Sequence, residues 1–284
     1  MILLVGASGN VGKEVLRQLS ASGRDLRATV RDESKAADMR NAGAEPVVAD
    51  MSDPASLGKA LEGVEAVFVS TTATPTMTDD QINLVNAAKA AGVKRFVKLS
   101  VAKADQEGCI YARWHHPVEK AIMDSGMSYT ILRPNGFMQN FIMNAGTIQS
   151  DSAIYAPVGE GKVSFVDIRD VAEVAAKALT EASHENTVYE LTGPAALSHG
   201  EIASIIGKAI GKDVNYVPIS DEQAHEVFMS WGIGQWFADA LLDLFVFYRG
   251  NNMDHVADDF TKVTGHKPRS METFANDFAA AFKG

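Results

Sequence analysis

The sequence predicts an α/β protein: a Rossmann-type doubly wound parallel sheet with a smaller C-terminal α/β substrate lobe. Three observations predict it. Short apolar runs alternate with helical segments through the first half, most of those segments end in glycine, and three glycines spaced three apart follow the first run. Parallel strands need crossovers of a dozen or more residues, usually helical, and the alternation supplies that spacing.

Strands are read at ILLVG (2–6), LRATV (26–30), PVVAD (46–50), AVFVS (66–70), RFVKLS (95–100) and YTILR (129–133). Between them, Val11, Val15, Leu16 and Leu19, and again Ile82, Val85, Ala88 and Ala91, recur at helical spacing. Gly23, Gly43, Gly63, Gly92 and Gly126 close these segments, as glycine does where a helix end turns left-handed. From about residue 134 the alternation loosens. GEGKVSFVDIRDVAEVAAKAL (159–179) reads as an extended piece then a helix, with Asp167 or Arg169 near the turn and Asp170 in the first helical turn. TVYEL (187–191), EIASIIGKAI (201–210) and VNYVPI (214–219) read as strand, helix and strand, and METFANDFAAAF (271–282) as one terminal amphipathic helix.

FMSWGIGQWFADALLDLFVFY (228–248) is long enough for a bilayer but carries Gln235, Asp239 and Asp243, so it is read as buried helix or pocket wall. The expected division is a dinucleotide-binding core over 1–134 and a mostly substrate-binding lobe over 135–284, with some segments returning to the core.

At 284 residues and 46% apolar content the chain can bury a large core. A formal charge of -10 with no clustered basic face argues against nucleic acid as a partner. A lone cysteine, Cys109, excludes an intrachain disulfide, and His115 and His116 are adjacent and face different sides of a helix, so no metal site is expected. No signal peptide, membrane span, GxSxG elbow or P-loop is read, so the expectation is a cytoplasmic protein with a small-molecule partner; a homodimer stays open.

The three glycines are Gly6, Gly9 and Gly12. A strand turning into a helix here aims unpaired first-turn N–H groups at one spot, where a pyrophosphate can sit, and the missing Cβ atoms allow close approach. A tight turn with close helix packing would use the same glycines. Ser8, Asn10 and Val11 flank the turn. The second strand ends TVRDESK, with Arg31 first and Lys35 one turn beyond it. Two cations around one 2′-phosphate favour NADP(H), with NAD(H) also usable; the competing reading gives Asp32 the ribose and leaves Arg31 to solvent. Asp50 is placed to reach the adenine amino group, or else caps the turn before Pro54. Met51, Ser70 and Thr71 complete the expected cofactor lining.

With GASGNVG, VRD, VVADMSDPASL, SGMSYTILRPNGFMQN and VSFVDIRDVAEVA in order, the chain resembles the NmrA-like atypical short-chain dehydrogenase/reductases over nearly its whole length. Within that group it is most similar to bacterial NAD(P)H-dependent quinone, azo-dye and triphenylmethane-dye reductases; the group also holds redox-sensing regulators that bind NADP(H). Extended relatives carry YxxxK after the fifth strand, and the resemblance places Tyr111 and His115 at its ends, with Ser100 at the strand terminus. The lysine is absent. A neutral histidine activates a tyrosine less than a fixed cation does, which disfavours alcohol or sugar chemistry.

What the resemblance implies is hydride transfer to a planar acceptor such as a quinone, a dye cation or an azo bond, with proximity supplying most of the acceleration. Pro134, Asn135 and Phe137 follow the sixth strand, at the edge where open α/β sheets bind ligands, and are expected on the nicotinamide side. Met138, Phe141, Trp231, Trp236 and Phe237 could form an aromatic wall for the acceptor, or could be ordinary core. The alternative to a reductase is an NADP(H)-binding redox-sensing regulator without turnover, which should expose an apolar patch in the second lobe.

Overall fold

The computed structural model describes residues 1–283. Strands β1 (Ile2–Val5), β2 (Leu26–Val30), β3 (Glu45–Val48), β4 (Ala66–Val69), β5 (Arg95–Leu99) and β6 (Ser128–Pro134) stand where the apolar runs predict them. Later come β7 (Ala153–Ala156), β8 (Lys162–Val163), β9 (Thr187–Leu191), β10 (Leu197–Ser198) and β11 (Asn215–Pro218). The main sheet runs β3-β2-β1-β4-β5-β6-β9, and its first six strands pair in parallel. Its central strands β1 and β4 are buried along their whole length, because crossover helices cover both faces of such a sheet.

The crossovers are α1 (Asn10–Leu19), α2 (Ala36–Asn41), α3 (Pro54–Ala60), α4 (Met77–Ala90) and α5 (Ile110–Met123). Leu3, Val67 and Phe96 from the strands pack with Leu57, Leu84 and Ile122 from the helices in one core cluster. Gly23, Gly43, Gly63, Gly92 and Gly126 all have φ between 69° and 86°, so each does stop its segment by turning left-handed.

The remaining helices are α6 (Ala145–Asp151), α7 (Ile168–Thr180), α8 (His199–Ile210), α9 (Asp221–Ser230), α10 (Gln235–Arg249), α11 (Asp259–Thr264), α12 (Met271–Asp277) and α13 (Ala279–Lys283). Ser198 and Ser220 start α8 and α9 as capping boxes with Glu201 and Gln223, each a contribution of about 1 kcal/mol.

Two compact units emerge. One comprises residues 1–105, 112–133 and 168–189, the other 106–111, 134–167 and 190 onward. In the first, α7 packs along α1, and Gln18 donates to the Arg169 carbonyl at 3.0 Å. In the second, β7 pairs with β11 in parallel and β8 with β10 antiparallel, while α8 packs on α12.

Two expectations need correction. The stretch 228–248 is two helices, because Gly232 and Gly234 both take positive φ and break it, and it is not uniformly buried: Val246 is 52% exposed. The terminal helix is likewise two, interrupted at Phe278 with φ −105° and ψ 13°. Asp53 caps α3, accepting from the Ala55 N–H with Pro54 at the first helical position, and Asp50 caps the turn before it by accepting from Ser52, one of its two expected roles. No helix among the described residues is long and apolar enough to cross a membrane.

Candidate active site

Strand order reverses between β1 and β4, and the β1–α1 turn lies at that switch point. The three glycines there do different work. A Cβ on Gly6, whose φ is 87°, would sit 1.7 Å from the Ser70 carbonyl oxygen, and one on Gly12 would sit 2.1 Å from the Gly6 oxygen. These two serve packing within the protein. A Cβ on Gly9 would meet nothing closer than the Gly6 oxygen at 3.4 Å, so its side of the turn is open. Helix α1 behind it has neither a side-chain cap nor an acidic residue in its first turn. The N–H groups of Asn10, Val11 and Gly12 therefore face an anion-binding position, and the turn fits a dinucleotide pyrophosphate.

Around the adenosine end, Asp32 is occupied as a cap: it accepts from the Ser34 N–H at 2.9 Å and from the Ser34 hydroxyl, and these bonds hold its carboxyl below the ordinary range. Lys35 lines an open cavity of about 740 Å³ together with Ser8, Lys13 and Arg17. Arg31 is exposed and adds its charge to Asp50, whose carboxyl is lowered chiefly by the Ser52 N–H and hydroxyl. Asp50 thus closes a local turn. The cations in this region number more than the Arg31–Lys35 pair read from the sequence; Lys13 and Arg17 belong with Lys35. Nearby, the Met51 carbonyl accepts from Asn83 at 3.3 Å, and the Thr71 hydroxyl accepts from Gln81 at 2.8 Å.

Ser100 is 3% exposed and spends its hydroxyl on Glu119, which removes it as a donor to a ligand. Glu119, 1% exposed, also takes Arg133 through both oxygens, and Arg133 reaches Asp105 at 3.1 Å. Burial alone would lower the Arg133 guanidinium, but Glu119 and Asp105 more than reverse that and leave it above its ordinary value.

His115 is 7% exposed, and its Nδ1 lies 3.0 Å from Nζ of Lys98, a lysine with no exposed surface in the middle of β5. Lys98 also donates to Gln81 Oε1 at 2.5 Å and to the Leu99 carbonyl at 3.4 Å. Burial pulls Lys98 down to about 7 against the opposing pull of Glu119, and burial with the neighbouring Lys98 charge holds His115 well below its usual value. The lysine absent from the helix is therefore matched by one on the strand. Its signal in the sequence is a charged residue inside the apolar run FVKLS.

In the second unit, Tyr111 is half-buried, and burial followed by the Cys109 thiol raises its phenol, the opposite of what a proton-transferring tyrosine needs near neutrality. Asn135 is 3% exposed and fully engaged: its amide donates to Ser164 Oγ and the Met253 carbonyl, each at 2.8 Å, and its oxygen accepts from the Gly136 N–H. Both of its amide donors are thus spent within the protein, which makes it a structural clamp. Pro134 is buried and Phe137 half-buried.

Met138 and Phe141, expected to face the acceptor, are 1% and 3% exposed; Phe141 packs edge-on to Phe165 at 4.9 Å and near His199 at 5.3 Å. The core reading holds for both, because a buried aromatic cluster gains more from mutual packing than from facing solvent. Trp231 and Trp236 differ, at 53% and 36% exposed, and Phe237 is half-buried beside Trp236.

The NmrA-like family matches residues 1–275, and the chain belongs to it. It is 39% identical over 283 residues to the NAD(P)H azoreductase of Xenophilus azovorans, covering 99% of each chain. The NADPH-dependent quinone oxidoreductase of Escherichia coli, solved with NADPH, superposes with a TM-score of 0.89 at 30% identity, covering 98% of this chain and 99% of that one. The triphenylmethane reductase of a Citrobacter species, solved with NADP(H), gives 0.88 at 28% identity, covering 98% and 100%.

Proposed function

We propose that this member of the NmrA-like family is an NAD(P)H-dependent reductase of planar conjugated acceptors of the quinone, azo-dye or triphenylmethane-dye type, with NADP(H) preferred and NAD(H) usable. The observation that carries it is the open, uncapped start of α1 behind Gly9, in a chain whose relatives across its full length reduce such acceptors.

When bound, the nicotinamide cofactor supplies the hydride. The first-turn N–H groups of α1 would hold the pyrophosphate, with Ser8 beside them, while Ser70 borders the turn. Lys35, Lys13 and Arg31 supply positive charge for a 2′-phosphate, and Asp32, engaged as a cap, does not compete for the ribose. Tyr111 has no lowered phenol, and Ser100 is committed to Glu119. What this chain offers a reaction is chiefly orientation, which suits acceptors that collect their proton from water. Phe137, Trp231 and Trp236 are the aromatic surfaces available to lie against a flat acceptor.

A second reading has one observation in its favour. Val227, Met229, Trp231, Trp236 and Val246, on α9, α10 and the turn between them, are all exposed, as a surface for a protein partner of a redox sensor would be. Following NADPH and NADH oxidation with a panel of quinones, azo dyes and triphenylmethane dyes separates the two. Saturable turnover establishes the reductase; tight NADPH binding without turnover on any acceptor establishes the sensor.

A further inference from the structure

The buried lysine on β5 has no place in the sequence-derived site, yet its ammonium nitrogen is supported by polar groups from two helices and its own strand. Lys98 Nζ has three neighbours: Gln81 Oε1 from α4, the Leu99 carbonyl of its own strand and His115 Nδ1 from α5. Below the value of about 7 to which burial brings it, Lys98 is an ammonium, with three N–H donors and no lone pair. Gln81 is itself fixed, since its Nε2 donates to Thr71 Oγ1 and so its oxygen must face the lysine. With three donors and three acceptors, each hydrogen bond has one polarity, and His115 Nδ1 accepts.

A neutral imidazole that accepts at Nδ1 carries its proton on Nε2. His115 Nε2 has no protein partner among the described residues and is not one of the fully buried unpartnered atoms. The charged group that acts on the lysine is Glu119 on α5, which in turn holds Arg133 of β6, itself paired with Asp105, so two anions stand against the two cations Lys98 and Arg133. That balance is what allows an ammonium inside a core.

We propose that Lys98 is a positioning residue that locks His115 as a neutral imidazole with its proton on Nε2, offering that N–H as a fixed hydrogen-bond donor to an oxygen of the bound ligand. The oxygen can belong to a cofactor hydroxyl or to a quinone carbonyl. Gln81 extends the lock to Thr71 at the end of β4. His115 then acts as a donor and not as a base, and the protonated, cationic form of the ring is excluded by the ammonium beside it.

The test reads the tautomer directly. Long-range proton–nitrogen correlation spectra of the ligand-free protein labelled with 15N-histidine should show His115 neutral with its proton on Nε2 at pH 6, where a free histidine is largely cationic. A His115 found cationic at that pH, or protonated on Nδ1, overturns the proposal without any variant. Lys98→Met, similar in length and without the buried charge, should let the ring sample both tautomers and protonate at pH 6. If the spectrum of that variant is unchanged, Lys98 does not set the ring and the proposal is also overturned.

The kinetic half rests on the reductase reading. Lys98→Met should lower kcat about tenfold with quinone, the loss expected for one fixed donor, and introduce a pH dependence between 5 and 6, a range in which Lys98 stays an ammonium and the native protein shows none. Raised NADPH Kd in His115→Ala assigns the oxygen to the cofactor. Unchanged Kd with quinone turnover reduced, and turnover of a carbonyl-free triphenylmethane dye spared, assigns it to the acceptor. Should the native protein turn over no acceptor, the reductase reading fails while the tautomer result stands on its own.

Discussion

Glu119 holds Arg133 through both of its oxygens, Nε to Oε1 at 3.2 Å and Nη2 to Oε2 at 2.7 Å, with Oε1 also accepting the Ser100 hydroxyl. Because the pair is buried, removing one partner strands the other charge. Glu119→Gln should lower unfolding free energy by about 3 kcal/mol, read as a drop in the urea midpoint with an unchanged slope. A loss under half a kcal/mol would mean Arg133 finds its compensation at Asp105 alone.

The different roles of the glycines make a second prediction. Gly9→Ala should fold, with a stability loss of about 1 kcal/mol for a poorer N-cap, and bind NADPH at least tenfold more weakly because the methyl fills the pyrophosphate position. Gly6→Ala should fail earlier, as insoluble or unfolded protein, since its Cβ would sit against the Ser70 carbonyl. Isothermal titration and circular dichroism on both variants check the split.

For the 2′-phosphate, Arg31→Ala and Lys13→Ala should each weaken NADPH about tenfold, the value of one charge-assisted contact, and leave NADH nearly unchanged. The ratio of the two dissociation constants is the readout. If neither variant moves it, the phosphate lies elsewhere.

Tyr111→Phe should retain at least half of the native kcat for quinones. Burial and Cys109 raise the phenol, so it is not poised to give up a proton. A hundredfold loss in steady-state assays would restore it to the chemistry.

A pH effect on stability follows from His199, pulled down to about 4 by burial among Phe141, Phe165 and Tyr216. The unfolded histidine binds its proton near its ordinary value and the folded one does not. The stability this represents is complete above about pH 6.5 and lost as pH falls toward 4, at up to about 1.4 kcal/mol per pH unit. Urea midpoints between pH 7 and 5 should therefore decline, and His199→Leu should decline less steeply.

Much of this was legible in the residues, and the exceptions share a cause. The six strands and the five glycine stops follow from local apolar runs and from a backbone turn only glycine takes readily, so a short window suffices. Lys98 was visible as a charge within FVKLS, but its partners Gln81 and His115 each lie 17 positions away on different helices, and no spacing rule joins them. The three glycines look alike as letters; only the carbonyls of Ser70 and Gly6 show which of them are packed and which is open. Met138 and Phe141 were candidates for the pocket wall, with core the readier reading of each alone, and both are buried. The stretch 228–248, read as buried helix or pocket wall, is broken by two glycines two apart that take positive φ, which its apolar content alone does not show.

The return of residues 168–189 to the first unit bears on how the protein is made. A ribosome releases the chain from its N-terminus, so β1 to β6 emerge before the segment that completes them. Until α7 arrives, α1 lacks its packing partner; until β9 arrives, the edge at β6 is open; and the Arg95 guanidinium awaits the Leu179 carbonyl and Glu185. During translation the nascent dinucleotide-binding unit thus carries an exposed strand edge at β6 through the synthesis of residues 135–186.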